Sequence, residues 1–289
     1  MQERSINIRV SIWLLRGDRT RNKLRKTSNR LRTILKSWRT CILLAFLGAC
    51  AGIQYHLDFI RITTGRILTD LPSTLYYSSW VFSGLFFPAV VASFCGIGIL
   101  VEKFPNVTLH PLPGPLEKHA TTESAITQAI LTGAILGLFL MVLIPVSDLF
   151  ITVVSNNDVG SLVDRIDSYK AFLIACSAGI IEELQYRLGL MTLFLYLGTI
   201  FTRETYPGRG VFWAANLLAV VPFGLLHLYN VIALGGSLTP AVVGIVLVWN
   251  GVAGLGFGLL YWKKGLAAAI TGHITMDIFL KVLAPLIFV

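Results

Sequence analysis

The sequence predicts an all-α fold, a polytopic transmembrane helical bundle of about seven to eight spans. Three observations predict it. Of 289 residues, 55% are hydrophobic and only 13% are charged, whereas soluble domains carry roughly a quarter charged residues. Mean hydropathy is +0.72. The apolar residues also come in runs near the ~20 residues that cross a bilayer as a helix, separated by short polar or Pro-rich segments. This composition excludes a soluble globular domain.

Residues 1–40 differ from the rest. They hold twelve Lys/Arg against two acids, Glu3 and Asp18, and so account for the whole net charge of +9. A basic segment before a first span holds the N-terminus on the cytoplasmic side and rests on anionic lipid. That is a plainer reading than nucleic-acid binding, so membrane lipids and not nucleic acid are the expected partners. The second half of the segment (Leu24, Leu31, Ile34, Leu35, Trp38) has the spacing of an interfacial amphipathic helix. An organelle transit peptide is a secondary reading of this Arg-rich, acid-poor composition. Cys41, Cys50, Cys95 and Cys176 form no C-x-x-C pair and read as small buried hydrophobes.

The first span is expected over about Trp38–Leu57, followed by a polar connection from Asp58 to Asp70. Leu71–Val101 carries no charge and forms a second span, with room to kink at Pro88. Glu102–Glu123 is a Pro-rich loop, Ser124–Ser147 a third span, and Asp148–Lys170 an acidic loop. Ala171–Phe201 would be about 46 Å long as one helix, so it must tilt, protrude or break, with Gly189 as the candidate break. Val211–Leu234, Pro240–Trp262 and Gly265–Val289 complete the set. Gly251, Gly254, Gly256 and Gly258 read as close helix packing. With alternating spans, the N-terminus, Arg203/Arg209 and Lys263–Lys264 all fall on the cytoplasmic side, as the positive-inside rule requires.

Against this background the polar residues inside the spans stand out. Glu182 and Glu183 lie in the apolar run after Ala171, His227 in the next, and His273 in the last. An ionised group in hydrocarbon is costly and faces the bundle interior or a cavity. Glu183 and Arg187 are i and i+4, so they share a helix face and can pair. Glu182 is turned about 100° away and can point elsewhere. Phe223 and His227 are also i and i+4, as are His273 and Asp277. Measured along their helices, Glu182 lies about 17 Å beyond Ala171, His227 about 20 Å beyond Trp213 and His273 about 12 Å beyond Gly265, all inside their spans. One intramembrane site built from several helices accommodates all of them. No Ser or Cys stands out as a nucleophile. A glutamate and a histidine sharing a water can activate it against a carbonyl, and a second His with a polar partner can stabilise the oxyanion. Water-mediated hydrolysis is therefore the expected reaction class.

Glu182-Glu183-x-x-x-Arg187, then Phe223-x-x-x-His227, then His273-x-x-x-Asp277, in this order on separate apolar spans, resemble the CAAX prenyl protease type II and bacteriocin-processing family of intramembrane proteases. The resemblance covers roughly Tyr169–Val289; residues 1–120 show no matching motif. It implies an endopeptidase acting on a membrane-associated or lipidated peptide or protein. It implies Glu182 as general base with His227 holding the same water, His273 and Asp277 on the oxyanion side, and Arg187 ordering the glutamate helix. Family members carry Asn or Asp at the last position. Residues 1–40 are then a basic interfacial segment, 41–168 the N-terminal transmembrane helices and 169–289 the catalytic core.

Two rival readings remain open at this stage. The buried Glu, His and Asp residues could form the relay of a proton-coupled transporter, although no internal repeat is visible. A non-catalytic membrane scaffold would leave these residues tolerant of change. No cofactor is expected; zinc ligation by the same side chains is the runner-up. The default location is a bacterial plasma membrane.

Overall fold

A backbone N–H or C=O in hydrocarbon has no water to bond, so an apolar run satisfies its own backbone as a helix. The computed structural model describes residues 34–53, 71–103, 122–155, 167–233 and 237–288. Among the described residues there is no strand. In chain order the elements are α1 (Ile34–Ile53), α2 (Leu71–Lys103), α3 (Thr122–Ser155) and α4 (Ser168–Glu182). A π-helical segment, π1 (Glu183–Met191), carries α4 without interruption into α5 (Thr192–Thr202). Then follow α6 (Arg209–Ala233), α7 (Pro240–Lys264) and α8 (Leu266–Asp277). A second π-helical segment, π2 (Ile278–Leu283), leads into the short α9 (Ala284–Phe288).

Six of the described helical stretches are long and apolar enough to cross a membrane: Ile34–Ile53, Glu123–Leu143, Ser168–Thr202, Arg209–Tyr229, Pro240–Lys264 and Leu266–Ile287. Within α2, Gly84–Leu100 is a shorter apolar stretch. The helices turn large apolar side chains outward: Ile135 is 66% exposed, Val142 62% and Val91 60%. Hydrocarbon suits such faces and water does not. The chain is an integral membrane protein.

The expected spans recur with shifted ends. The first is described over Ile34–Ile53 and is already helical before the expected Trp38, while the expected end at Leu57 lies outside the described residues. α3 continues to Ser155, so the acidic connection starts later than the charge pattern suggested. The long run from Ser168 to Thr202 does not break at Gly189; it stays helical by changing to π geometry, and Gly189 packs against Ala92 of α2. Of the cysteines, Cys41 is buried, but Cys50 and Cys95 are exposed on the outer faces of α1 and α2, contrary to the buried reading. The basic segment before Ile34 lies outside the described residues, as do most of the connections around Asp58–Asp70, the Pro-rich loop and the acidic loop.

The buried core lies around π1 and α7. Leu184, Leu188, Met191 and Leu195 pack with Phe257 and Tyr261. α3 runs against α8, α2 against π1 and α6 against α7. Close approach between α4 and α8 depends on Gly179. A Cβ there would stand 2.5 Å from Ile274 Cγ1 and 3.1 Å from the Ile274 backbone nitrogen. α7 begins with Pro240 after Thr239, whose hydroxyl accepts from the Val242 N–H at 3.3 Å, a standard N-cap arrangement. It ends at Gly265, whose φ of 96° is open to glycine and strained for other residues. That turn reverses the chain directly into α8.

Candidate active site

The site is built where α4 passes into π1 and where α8 passes into π2. At the first junction Glu183 and Arg187 are both 0% exposed, with Arg187 Nε 3.3 Å from Glu183 Oε2. Such a pair is stable in a dry interior only when further polar contacts hold each ion. Arg187 Nη2 donates to the Gly254 carbonyl at 3.1 Å, and its guanidinium lies 5.4 Å from the Phe223 ring centre. Gly254 permits the approach: a Cβ there would sit 2.8 Å from Val220 Cγ2 and 3.4 Å from Arg187 Nη2. The other oxygen of Glu183, Oε1, accepts from His273 Nδ1 at 2.8 Å. A carboxylate accepts, so the proton is on Nδ1.

His273 is held on its faces as well. Phe257 stacks on it at 4.4 Å and 14°, and Phe223 stands edge-on at 6.2 Å. With Nδ1 fixed on Glu183, Nε2 lies 3.7 Å from Glu182 Oε2 and 4.0 Å from Asp277 Oδ2. Both separations exceed a direct hydrogen bond. His273 therefore has carboxylates on three sides. Asp277 is itself paired with Lys281, one turn on in π2.

Glu182 behaves differently from its neighbour. It lines a cavity of about 570 Å³, shared with Tyr186 of π1, His227 of α6 and Lys281 of π2. Its Oε2 is buried but has no hydrogen-bond partner among the described residues. His227 is half-buried, with Nδ1 2.9 Å from the Phe223 carbonyl. A carbonyl only accepts, so His227 donates from Nδ1, and Nε2 is the acceptor of the neutral ring.

All six residues singled out in the sequence thus fall in one region. Glu183, Arg187, His273 and Asp277 form a buried chain of charges beside Glu182. His227 shares the cavity with Glu182. Two placements differ from the sequence reading. His273 is tied to Glu183, ninety positions away, and not only to its own-helix neighbour Asp277. His273 and Asp277 are buried and form no part of the described cavity wall. Lys281, Tyr186 and Phe257 were passed over. Only Lys281 had a readable signal, an acid-to-base i, i+4 spacing after Asp277 inside an apolar run. Among the described residues no group of three or more His, Cys, Asp and Glu side chains is arranged to hold a metal ion.

Fold and site together define a polytopic membrane protein with an acid–histidine centre inside its helix bundle. Residues 166–279 match the family described as Type II CAAX prenyl endopeptidase Rce1-like, and that stretch contains Glu182, Glu183, Arg187, His227, His273 and Asp277. The match over this segment supports the CAAX prenyl protease type II and bacteriocin-processing family and, with it, a CAAX-type endopeptidase, a hydrolase acting on peptide bonds. Comparison with curated proteins and with solved structures gave no match.

Proposed function

We propose that Glu182 is the general base of an intramembrane endopeptidase and that His227 holds the water it activates. The observation that carries this reading is the division between the adjacent glutamates. Glu183 is committed to Arg187 and His273. Glu182 lines the cavity, and its Oε2, buried 3.7 Å from His273 Nε2, has no hydrogen-bond donor among the described residues. A water between Glu182 and His227 Nε2 gives up a proton to Glu182 as its oxygen attacks the scissile carbonyl. Glu182 then returns that proton to the leaving amine. The electrophilic side falls to His273 and Asp277, and Arg187 with Glu183 fixes the ring of His273. To donate from Nε2 while Nδ1–H serves Glu183, His273 must act as imidazolium.

The substrate class is a membrane-associated or lipidated peptide or protein. The cavity wall supports this: Leu85, Pro88, Ile174, Ile181 and Leu226 surround the few polar groups. The test compares newly formed protein termini in cells carrying wild-type protein or Glu182→Gln. Termini that depend on the wild-type residue are expected; cleavage that persists unchanged in Glu182→Gln would remove Glu182 from the role of base. The reaction is proposed to run without a metal, with zinc as the rival. Purified enzyme that keeps its rate in a strong chelator supports the first, and a stoichiometric metal whose removal stops cleavage supports the second.

Residues 1–40 are proposed as the basic interfacial segment, 41–168 as the N-terminal transmembrane helices and 169–289 as the catalytic core. The N-terminus is proposed to lie in the cytoplasm of a bacterial cell. The charge at the ends of α5, α6 and α7 supports that orientation: Arg203, Arg209, Lys263 and Lys264 fall on one side when spans alternate.

A further inference from the structure

One face of α4 runs along the cavity and continues into π1. Ile174, Ala178, Ile181 and Gln185 follow one another at spacings of four, three and four residues, which is the period of a single helical stripe. All four line the cavity that holds Glu182 and His227. The stripe is apolar until its last member, where π1 sets a carboxamide three residues beyond Glu182. Gln185 is half-buried, and no hydrogen bond joins it to the described residues. The residues around it are engaged. Glu183 is bonded to Arg187 and His273, and the Tyr186 ring packs edge-on against Phe223 at 5.4 Å. A carboxamide brings two N–H donors and an accepting oxygen, and a polar group in apolar surroundings is costly unless it is bonded.

A peptide substrate meets the same difficulty from its own side. Each residue that leaves water for this cavity brings a backbone N–H and C=O. Apolar walls such as Leu85, Pro88 and Leu226 bond neither group. Resting on the reading that a peptide is cut in this cavity, we propose that Gln185 pairs with the substrate backbone next to the scissile bond. Its Nε2–H donates to a peptide carbonyl, and its Oε1 accepts from a peptide N–H. The pairing recognises the backbone and not the side chains, so it sets the register in which the scissile carbonyl meets the water. Gln185 is then a substrate-binding residue that takes no part in proton transfer.

The experiment uses full-length protein in liposomes and a quenched-fluorescence peptide ending in an S-farnesyl cysteine followed by aliphatic residues. Two further peptides each carry an ester in place of one amide flanking the scissile bond, which deletes a single N–H. In wild-type protein one of these esters is expected to lower kcat/KM about tenfold, the scale of one hydrogen bond. Gln185→Met keeps the length of the side chain without its amide. It should raise KM about tenfold with kcat little changed, and shrink that ester penalty to under about twofold. An undiminished ester penalty in Gln185→Met, a loss confined to kcat, or full activity in this variant overturns the proposal. So does the absence of a penalty from either ester in wild-type protein, a result that needs no variant to fold. Glu182→Gln in the same assay keeps the two readings apart. If it cleaves normally the base is misassigned, while the ester comparison still decides Gln185. If it is dead and the ester penalty persists in Gln185→Met, only the pairing is wrong. Thermal unfolding of each variant confirms that the proteins compared are folded.

Discussion

The two π-helical segments make a useful pair. Each follows a stretch of α-helix, and each is associated with an acid and a base four residues apart. In π1 the pair is Glu183–Arg187, sealed at 0% exposure for both partners. Across the start of π2 the pair is Asp277–Lys281, with the acid buried and the base 37% exposed on the cavity. Removing either partner of a sealed pair leaves a charge in a dry interior. In the second pair the base is partly exposed and lines the cavity, so it is less deeply buried than Arg187. Similar local sequence patterns therefore serve different ends: the first fixes His273, and the second places a lysine on the cavity wall.

Experiments can break this contrast. The largest effect is expected within the glutamate pair, where loss of a general base lowers the rate about 10²–10⁴-fold. Glu182→Gln should do so with an unchanged melting temperature, whereas Glu183→Gln should lower both rate and melting temperature. Identical melting behaviour in the two would erase the division of labour. Next comes Arg187→Met, expected to cost about 3–5 kcal/mol by stranding Glu183, measured by unfolding in detergent. Lys281→Met should cost far less; equal losses would mean that the two pairs are both structural. Gly179→Ala sharpens the picture from the packing side. The added methyl meets Ile274, and overpacking of this kind costs about 1–3 kcal/mol. It should also weaken the Glu183–His273 contact, seen as a changed imidazole NMR signal. Smallest is Thr192→Val. It removes the 2.7 Å bond to the Tyr261 hydroxyl, with a loss near the ~0.6 kcal/mol average for polar contacts between membrane helices.

Much of the molecule was legible in the sequence, and the part that was not has a physical cause. Apolar run lengths placed the spans, because a bilayer fixes how many residues cross it. The expense of ionised groups in hydrocarbon singled out the glutamates and histidines, and the i, i+4 spacing paired Glu183 with Arg187. What spacing cannot give is the rotation of one helix against another. That rotation decides that His273 faces Glu183 and that Phe257 stacks on its ring. It is set by contacts such as those of Gly179 with Ile274 and Gly254 with Val220. The glycines of α7 were read as packing residues. Gly254, Gly256 and Gly258 do meet neighbouring helices, while Gly251 has nothing within 4 Å. Nor does any residue in Glu183–Met191 announce π geometry; Gly189 suggested a break where the helix instead widened.

That widening has a consequence for the far end of the same span. A π turn takes one residue more than an α turn, since each N–H reaches back five positions and not four. Residues after Met191 therefore arrive out of phase with those before Glu183, as if a spacer had been slipped into the chain. Thr192 lands facing α7, where its hydroxyl meets Tyr261 and takes up the Arg187 carbonyl at 3.1 Å. Deleting a single residue between Leu188 and Met191 would let the span relax to an uninterrupted α-helix. Its outer half would then swing by about 100° and present a different stripe to lipid. One residue of length thus sets the phase between the half of the span that carries Glu182 and Glu183 and the half that follows it.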